Sequence, residues 1–470
     1  MCWLRDLPGG VLNLKPVSED FAGKRVLVLG LARSGRAVAR LLRSLGAQVT
    51  VNDRKPRSET AEAEALEQEG IRVVLGGHPP DLIQPGVDLL VKNPGIPYRI
   101  PLIRRAEELG IPVVTEVEIA YLLTDAPLIG ITGSNGKTTT TSMVGRMLDR
   151  GNLPVHVAGN IGTALSEIAP QLKAEEWLVS ELSSFQLKGT RSFRPRIGAL
   201  LNVVPAHLDY HGSMEDYVGS KKKLFANQEP GDIAVLNRDS AECRAVAAEL
   251  DVDVWWFSRR ESVARGLMFE EGWVTARLPE HRDPIRILRE DEVRLPGVHR
   301  ENALAAAAIA LAAGCPVEAI REELATFQGV EHRLEFVETV DGVCYFNDSK
   351  ATNAKAAISA MESFTEPIIL IAGGLDRGVD FRELTPVFRD RLKGIVAIGQ
   401  TADTLLARGE EAKVPYRELA SDIAEAVERA HRLATAGDVV LLSPACASWD
   451  MYTSFEERGS IFKQAVHRLK

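Results

Sequence analysis

The chain alternates short apolar runs with stretches in which apolar side chains recur at helical spacing. Residues 24–30 and 47–52 predict strands, and the apolar positions over 38–45 predict a helix between them. The pattern restarts at residue 128 and again after residue 329. Further strands are predicted at 72–75, 87–91, 128–132, 177–181, 197–203, 233–236, 343–346, 368–372, 395–398 and 439–442. Strands that alternate with helices in this way are typical of parallel α/β domains.

At 470 residues the chain is long enough for about three domains. We expect a Rossmann-like domain over residues 1–113, a central domain over 114–329 with a parallel sheet like that of P-loop ATPases, and a second Rossmann-like domain over 330–470. Within the central domain, residues 253–294 carry short alternating runs and scattered prolines, which predict a small antiparallel excursion.

The composition of the chain argues against several classes of protein. A formal charge of −9 gives no general attraction to nucleic acid or to anionic membranes, so we expect neither as a partner. The first ten residues lack the apolar core of a signal peptide, and no apolar run approaches membrane-spanning length, which predicts a cytoplasmic protein. Five scattered cysteines without a C-x-x-C pair indicate reduced packing residues and neither a disulfide framework nor a zinc site.

The most informative stretch follows the predicted strand at 128–132. Gly133-Ser134-Asn135-Gly136 is a glycine-rich turn, and Lys137-Thr138-Thr139 begins a helix. Backbone N–H groups, the helix N-terminus and a lysine together suit a phosphate group, and a threonine hydroxyl suits Mg²⁺. The spacing departs from G-x-x-x-x-G-K-[ST], which argues against a GTPase-type loop but keeps a nucleoside triphosphate as the implied ligand. The alternative is a plain strand-to-helix turn.

Three more side chains follow predicted elements of the central domain. Glu181 ends a strand, His207 follows another, and Lys221 opens a run of three lysines. The carboxylate and the imidazole are potential ligands of Mg²⁺ near a γ-phosphate. Each residue is also compatible with an ordinary structural role: a helix cap for Glu181, a surface loop for His207 and a solvated charge run for Lys221.

The first domain carries a weaker nucleotide signature. Residues 30–35 form a G-x-A-x-x-G variant after the first strand, and Asp53 ends the second strand. This pattern fits a nucleotide held by its diphosphate and ribose, but equally a tight turn in a parallel sheet. The turn at 93–96 is expected at the same carboxyl edge.

Motifs in all three predicted domains together resemble the Mur ligases. They occur in order over nearly the full length, at 133–139, 159–162, 181–186, 207, 347–353 and 443–448. The resemblance is strongest to the members that add D-glutamate. It implies ATP-dependent joining of D-glutamate to UDP-N-acetylmuramoyl-L-alanine in peptidoglycan synthesis, through an acyl phosphate. It also implies two Mg²⁺ ions, and we expect a monomer.

The resemblance assigns a role to individual positions. For catalysis it implies Lys137, Glu181, His207 and Lys221, and for metal binding Thr138, Glu181, His207 and a carbamylated Lys221, with Lys222 as an adjacent competitor for the modification. For ATP it implies Gly133, Ser134, Asn135, Gly136, Lys137, Thr138, Thr139, Asn302, Arg333 and Asp348, completed by domain closure. For the UDP-linked substrate it implies Ser34, Asp53, Arg54, Asn93, Gly95, Asn160 and Ser183, and for D-glutamate Thr352, Arg377, Ser448 and Phe455.

Several positions depart from the family pattern. Ala206 replaces a usual acid, Tyr210 a common arginine and Arg377 a usual lysine, and His299-Arg-Glu-Asn302 is one residue shorter than the usual motif. Arg377 offers a guanidinium group suited to bidentate binding of a D-glutamate carboxylate, and the other departures bear on the metal shell and the adenine contacts. The rival functions are another Mur ligase, a folylpolyglutamate synthase-like amide ligase, and a nucleotide-binding regulator without chemistry. The first domain argues against the folate enzyme, which lacks it.

Overall fold

A computed structural model of the chain describes residues 21–160, 162–279, 281–295, 299–327 and 329–470. Cys2 and the amino-terminal segment on which the signal-peptide prediction rests lie outside these ranges. The described residues form two compact units. The first runs to Glu290 and includes Glu301–Glu323, and the second consists of Asp291–Arg300 with Leu324–Lys470. Three sheets lie within them, which confirms the predicted α/β class with three domains.

The first sheet is entirely parallel, in the order β3-β2-β1-β4-β5. Its strands are β1 Arg25–Leu29, β2 Gln48–Asp53, β3 Arg72–Leu75, β4 Leu89–Lys92 and β5 Val113–Val114. Its helices are α1 Arg33–Ser44, α2 Ala63–Gln68, α3 Pro101–Glu108 and α4 Glu116–Leu122. Because chain order reverses beside β1, the ends of β1 and β4 border the crevice in which such folds bind ligands.

The second sheet has nine strands in the order β14-β13-β12-β11-β10-β9-β6-β8-β7. They are β6 Leu128–Thr132, β7 Val155–Gly159, β8 Trp177–Glu181, β9 Ile197–Leu200, β10 Ile233–Asn237, β11 Asp253–Ser258, β12 Gly266–Glu270, β13 Trp273–Arg277 and β14 Ile285–Arg289. The associated helices are α5 Lys137–Arg150, α6 Leu165–Ile168, α7 Ser184–Lys188, α8 Leu208–His211, α9 Met214–Lys222, α10 Ala241–Ala247, α11 His299–Ala312 and α12 Val317–Thr326. The fully buried strand β6 lies between β8 and β9.

The antiparallel prediction for residues 253–294 is wrong for its first part. Strand β11 pairs parallel with β10, and β12 pairs parallel with β11. Only β12, β13 and β14 form an antiparallel meander. The helix α10 provides the crossover that a parallel strand needs, and the side chains of Trp255 and Phe257 are buried in the sheet.

The third sheet has the order β15-β16-β20-β17-β18-β19 and lies in the second unit. Its strands are β15 Glu335–Val340, β16 Val343–Asn347, β17 Ile368–Gly373, β18 Leu392–Ile398, β19 Tyr416–Leu419 and β20 Val439–Leu442. Its helices are α13 Ala354–Met361, α14 Thr385–Arg391, α15 Ala402–Glu411, α16 Ile423–Leu433 and α17 Phe455–His467. All pairs are parallel except β15 with β16. The carboxyl ends of β16, β20 and β17 therefore meet at one edge.

Two of the composition-based expectations concern residues that the structure describes. None of the described helices combines the length and apolarity that crossing a membrane requires. The four described cysteines are unpaired, and Cys243, Cys315 and Cys446 are buried. Burial raises the pKa of the Cys243 thiol to about 11, as expected for a cysteine that packs in an apolar interior.

Candidate active site

The glycine-rich turn connects β6 to α5, so the helix N-terminus faces the carboxyl edge of the central sheet. Gly136 precedes the helix in a left-handed conformation with φ of 81°. A Cβ atom at this position would lie 2.1 Å from Oδ1 of Asn302, which packs against the turn from the first turns of α11. Glycine is therefore required both by the backbone conformation and by the neighbouring side chain.

Side chains that the sequence did not suggest hold the turn in place. Asn202 lies just beyond β9, accepts the Asn135 N–H at 2.9 Å and donates to the Asn135 carbonyl at 3.2 Å. The Ser134 hydroxyl lies 2.8 Å from the hydroxyl of Tyr217 and accepts the Val204 N–H at 2.9 Å. The only sequence signal for Asn202 is its place after a buried strand, next to the predicted phosphate loop.

Two lysines converge on one carbonyl of the turn. Lys137 Nζ donates to the Gly133 oxygen at 2.8 Å and to the Ser134 oxygen at 2.9 Å. Lys221 Nζ donates to the same Gly133 oxygen at 2.8 Å and lies 4.7 Å from the centroid of the Tyr217 ring. Lys221 is buried, and burial together with the charge of Lys137 lowers the pKa of its amine well below the ordinary value. The solvated-face interpretation of Lys221 is therefore wrong, because the side chain points into the protein.

Glu181 lies beside the turn because β8 neighbours β6. It is fully buried, and its carboxylate accepts the Thr138 hydroxyl at 2.6 Å and the Asn160 amide at 2.7 Å. Both of these partners are neutral, so the buried charge is suited to a cation. Among the described residues, no three His, Cys, Asp or Glu side chains lie together as a metal cluster. A cation here would therefore depend on Glu181 with hydroxyl, phosphate or modified-lysine ligands.

His207 lies in an aromatic cluster, which we define as Phe185, His207, Tyr210, His211 and Tyr217. The His207 backbone has φ of 55° and begins α8. Its ring centroid lies 4.9 Å from that of Phe185 and 6.5 Å from that of Tyr217. The ring of His211 stacks on that of Phe185. Its Nδ1 is hydrogen-bonded to the Asp216 carboxylate at 2.7 Å, and its Nε2 to the Ser184 hydroxyl at 3.0 Å. The cluster thus connects α7, α8 and α9 beside the phosphate loop.

The positions assigned to the UDP-linked substrate divide into two groups. At the first sheet, Asn93 donates to the Ser34 hydroxyl at 3.3 Å, and Asp53 accepts the Leu31 N–H at 2.6 Å. Gly95 and Arg54 follow these residues in the chain and are exposed.

The second group lies on the central sheet. The Asn160 side chain is turned toward Glu181, and Ser183 forms a capping box with Gln186 at the start of α7. Both side chains therefore have structural partners of their own. Their contact with substrate stays a prediction.

In the second unit, Asp348 follows β16 and is buried. Its carboxylate accepts the Ser443 hydroxyl at 2.9 Å and the Leu334 N–H at 3.2 Å. Burial raises the pKa of this carboxyl to about 7, against the hydrogen bonds and the nearby charge of Arg333. His299 lies in the same unit, where its ring contacts those of Phe346 and Phe364.

The positions assigned to D-glutamate lie at the ends of the third sheet's strands and the start of α17. Ser448 is buried, Thr352 is half-buried, and the Arg377 guanidinium lies 5.2 Å from the Trp449 ring centroid. Phe455 begins α17, and its carbonyl accepts the Ser349 hydroxyl at 2.8 Å.

Arg458 organises these loops and was not predicted. It is fully buried and donates to the carbonyls of Ser349 at 2.9 Å and Cys446 at 3.1 Å. Burial lowers its pKa to about 10. No sequence pattern indicates this role, because an arginine between charged and small residues of a helix is typical of an exposed face.

A glycine-rich turn after β6, a strand that pairs parallel with both of its neighbours, and a carboxylate against the threonine at the start of the next helix are the arrangement of P-loop-type α/β proteins. Family models match three consecutive parts of the chain: the Mur ligase MurD-like N-terminal domain at 24–115, the Mur ligase middle domain at 131–310, and the Mur ligase glutamate ligase domain at 332–446. The chain belongs to the Mur ligase family.

Individual relatives cover nearly the whole chain. It is 49% identical to UDP-N-acetylmuramoylalanine–D-glutamate ligase of Geobacillus sp. strain WCH70, over 95% of this chain and 98% of that protein. It is 47% identical to the protein of the same name from Bacillus cytotoxicus, over 96% of this chain and 99% of that one.

A solved structure shows the same fold at lower identity. The MurF ligase of Thermotoga maritima in complex with ADP superposes with a TM-score of 0.51 at 19% identity, over 97% of each chain.

Proposed function

We propose that this chain is an ATP-dependent amide ligase that joins D-glutamate to UDP-N-acetylmuramoyl-L-alanine in peptidoglycan synthesis. The observation that carries the chemistry is the buried Thr138–Glu181 pair beside Lys137 at the phosphate loop. The choice of substrates is supported by the full-length relatives at 49% and 47% identity, which carry the name of that reaction.

The reaction needs two bond-forming steps. An oxygen of the alanyl carboxylate attacks the γ-phosphorus of ATP, the bond from that phosphorus to the β–γ bridging oxygen breaks, and ADP leaves. The amine of D-glutamate then attacks the acyl carbon, the bond to the phosphate oxygen breaks, and inorganic phosphate leaves while the nitrogen loses a proton. Phosphorylation thus turns a poor leaving group into a good one.

Charge neutralisation is the main task of the loop in the first step. Lys137 would exchange its two carbonyl partners for phosphate oxygens, and the N–H groups at the start of α5 would face the same oxygens. Contacts with Asn202, Tyr217 and Val204 hold the turn in place for this role. Asn302, Arg333 and Asp348 are the further positions we assign to ATP.

The residues around Glu181 fit magnesium. Glu181 and Thr138 would hold one ion, and His207 with a carbamylated Lys221 would hold a second. Bound Mg²⁺ would offset the negative charge that accumulates as the carboxylate approaches the triphosphate. Burial of the carboxylate between two neutral donors supports this assignment, since a cation would compensate its charge.

Carbamylation of Lys221 is part of the proposal. Two amines share the Gly133 carbonyl. The neutral nitrogen of Lys221 would attack the carbon of CO₂ and lose a proton, which forms a carbamate with a negative charge. Lys222, the adjacent candidate, instead pairs with Glu249 on the surface. Intact-mass analysis under CO₂ with a Lys221→Ala control should show one added CO₂ only in the parent protein.

The remaining assignments follow the family pattern. We place the UDP-linked substrate at the first sheet and the adjoining edge of the central sheet, through Ser34, Asp53, Arg54, Asn93, Gly95, Asn160 and Ser183. We place D-glutamate in the second unit, through Thr352, Arg377, Ser448 and Phe455. We also propose that the protein is a cytoplasmic monomer without nucleic-acid or membrane partners.

A coupled phosphate-release assay tests the proposed function. Phosphate should appear only when ATP, UDP-N-acetylmuramoyl-L-alanine and D-glutamate are all present, and L-glutamate, L-alanine and diamino acids should not replace D-glutamate. A Lys137→Ala protein from the same preparation controls for contaminating ATPases. Phosphate release at the same rate with or without UDP-N-acetylmuramoyl-L-alanine and D-glutamate would favour a nucleotide-binding regulator. A preference for another amino acid would favour a different ligase of the family.

A further inference from the structure

Tyr210 contacts the turn assigned to the UDP-linked substrate and also the aromatic cluster around His207, which is assigned to metal binding. It lies in the short helix α8, three residues after His207. Its hydroxyl donates to the Pro94 carbonyl at 3.0 Å, lies 3.3 Å from the Ile96 carbonyl, and accepts from Lys92 Nζ at 3.1 Å. These three residues belong to the first sheet and its edge, so the contact joins that sheet to the central one within the first unit.

The turn that Tyr210 contacts carries two of the positions assigned to the UDP-linked substrate. It is closed by the Ile96 N–H on the Asn93 carbonyl at 3.0 Å, and the Asn93 side chain reaches Ser34. Asn93, Gly95 and Ser34 are all positions assigned to the UDP-linked substrate. The Tyr210 hydroxyl contacts the carbonyls on both sides of Gly95, while the Gly95 and Ile96 N–H groups between them donate to Asn93. The hydroxyl therefore supports the turn from its carbonyl side.

The ring of the same tyrosine packs against Phe185 at the start of α7. Its centroid lies 4.4 Å from that of Phe185, in an edge-on arrangement, and Phe185 in turn contacts the ring of His207. Aromatic pairs with this geometry are directional and resist rotation. One side chain thus contacts the turn at 93–96 through its hydroxyl and Phe185, the neighbour of His207, through its ring.

The surroundings of the hydroxyl keep it in place. Lys92 is buried, and it also donates to the Pro94 carbonyl at 3.1 Å while its ammonium lies 4.5 Å from the Tyr98 ring centroid. Its hydrogen-bond partners in the described part of the chain are uncharged. A hydroxyl that accepts from Lys92 and donates to the turn is oriented from both sides, so Tyr210 has little freedom to release the turn.

We propose that Tyr210 is a positioning residue for the UDP-linked substrate, through the joint hold of its hydroxyl on the Pro94 and Ile96 carbonyls. This inference deepens the proposed function and rests on it. The hydroxyl does not reach the reacting atoms in this assignment. Its loss should therefore weaken binding of the UDP-linked substrate and leave the chemical step nearly intact.

The test compares two tyrosines that each lose only a hydroxyl. Tyr210→Phe keeps the ring on Phe185 but frees the turn, and Tyr98→Phe is the matched control, because the Tyr98 hydroxyl is buried without a hydrogen-bond partner among the described residues. For Tyr210→Phe we expect about a tenfold higher KM and Kd for UDP-N-acetylmuramoyl-L-alanine, with kcat and the Kd for ADP within about twofold. For Tyr98→Phe we expect no change in any of these.

A second variant keeps the inference testable should Tyr210→Phe fold poorly. Lys92→Met removes the donor to the Tyr210 hydroxyl and should raise the Kd for the UDP-linked substrate, by less than Tyr210→Phe. Equal Kd values for the parent protein and either of these variants would overturn the inference. A parent protein that fails to bind the UDP-linked substrate at all would instead refute the proposed function, so the two failures are distinguishable by calorimetry.

Discussion

At the scale of single residues, Gly136 is required for two reasons, its backbone conformation and the close approach of a neighbouring side chain. Its φ of 81° strains any other residue, and a Cβ atom would also collide with Asn302 at 2.1 Å. Gly314 has a comparable φ of 84° but open space around its Cα. The pair therefore distinguishes the cost of strain from the cost of displacing the side chain that we assign to ATP.

We predict that Gly136→Ala and Gly314→Ala both lose about 1–2 kcal/mol of unfolding free energy to backbone strain. Only Gly136→Ala should also weaken ADP binding, by about tenfold or more, because Asn302 must move. Urea unfolding gives the first quantity and calorimetry the second. Unchanged ADP affinity in Gly136→Ala would show that the Asn302 contact does not support the nucleotide site.

Lys92 gives a residue-scale prediction on pH. Burial, with a smaller effect of the charge on Lys188, lowers the pKa of its amine to about 7 from the ordinary 10.5. Between these two values the unfolded chain holds a proton that the folded protein lacks, so folding becomes more favourable as pH rises through this window. Below pH 7 the folded protein carries the buried charge and its full cost.

Lys92→Met should therefore be more stable than the parent protein at pH 7, on the order of 5 kcal/mol, since the pKa falls from 10.5 to about 7 and one pKa unit corresponds to about 1.4 kcal/mol. The difference should shrink as the pH rises from 7 to 10. Urea unfolding at several pH values measures it. A stability difference independent of pH, or a less stable variant at pH 7, would contradict the assigned state of this amine. The expected result, a variant that is more stable than the parent protein, would support the view that Lys92 lowers stability in exchange for a function.

At the scale of elements, α11 is built from alanines because it is surrounded on all sides. All residues from Ala303 to Ala310 are buried, and Asn302 in its first turns packs against the phosphate loop. Ala307→Leu should cost about 1–3 kcal/mol through overpacking. The half-buried Ala312 is the matched control, and Ala312→Leu should cost less than about 1 kcal/mol. Thermal unfolding compares them, and equal losses would mean that the helix is not tightly enclosed.

The elements also show what could be predicted from the sequence. Buried strands such as β6, β8 and β20 were predicted with their observed bounds, because short continuous apolar runs between turn residues are typical of strands covered on both faces. The exposed edge strands β7 and β19 were missed, since their side chains face solvent and their pattern resembles a loop. The strand predicted at 197–203 ends at Leu200, because the chain beyond it leaves the sheet to hold the phosphate loop.

The candidate site also contains residue pairs that could be predicted from the sequence and pairs that could not. The resemblance to the Mur ligases implied that Thr138 and Glu181 share a metal ion, and the structure brings the two side chains within 2.6 Å because β6 and β8 are neighbours. Two other pairs could not be predicted. Lys92 and Tyr210 are 118 residues apart in the chain, and Arg458 is 109 residues from Ser349. No local sequence pattern indicates contacts between residues so far apart.

At the scale of the whole molecule, the assigned functions divide between the two units. Lys137, Glu181 and the UDP-linked substrate positions belong to the first, and Asp348 with the D-glutamate positions belongs to the second. If catalysis needs both units, as the assignment implies, then binding and turnover should respond separately to changes in each. The two variants that test this are Ser34→Ala in the first unit and Asp348→Asn in the second.

We predict that Ser34→Ala raises the Kd for UDP-N-acetylmuramoyl-L-alanine about fivefold, the equivalent of one hydrogen bond, and leaves the Kd for ADP unchanged. Asp348→Asn keeps the shape of the buried side chain and its hydroxyl partner Ser443, but its side chain cannot ionise. It should lower kcat/KM for ATP by about tenfold or more, with the Kd for the UDP-linked substrate within about twofold of the parent value. Calorimetry and phosphate release measure the two effects in the same preparations. Loss of UDP-linked substrate binding in Asp348→Asn would contradict the division, because that substrate would then depend on a carboxyl group of the other unit.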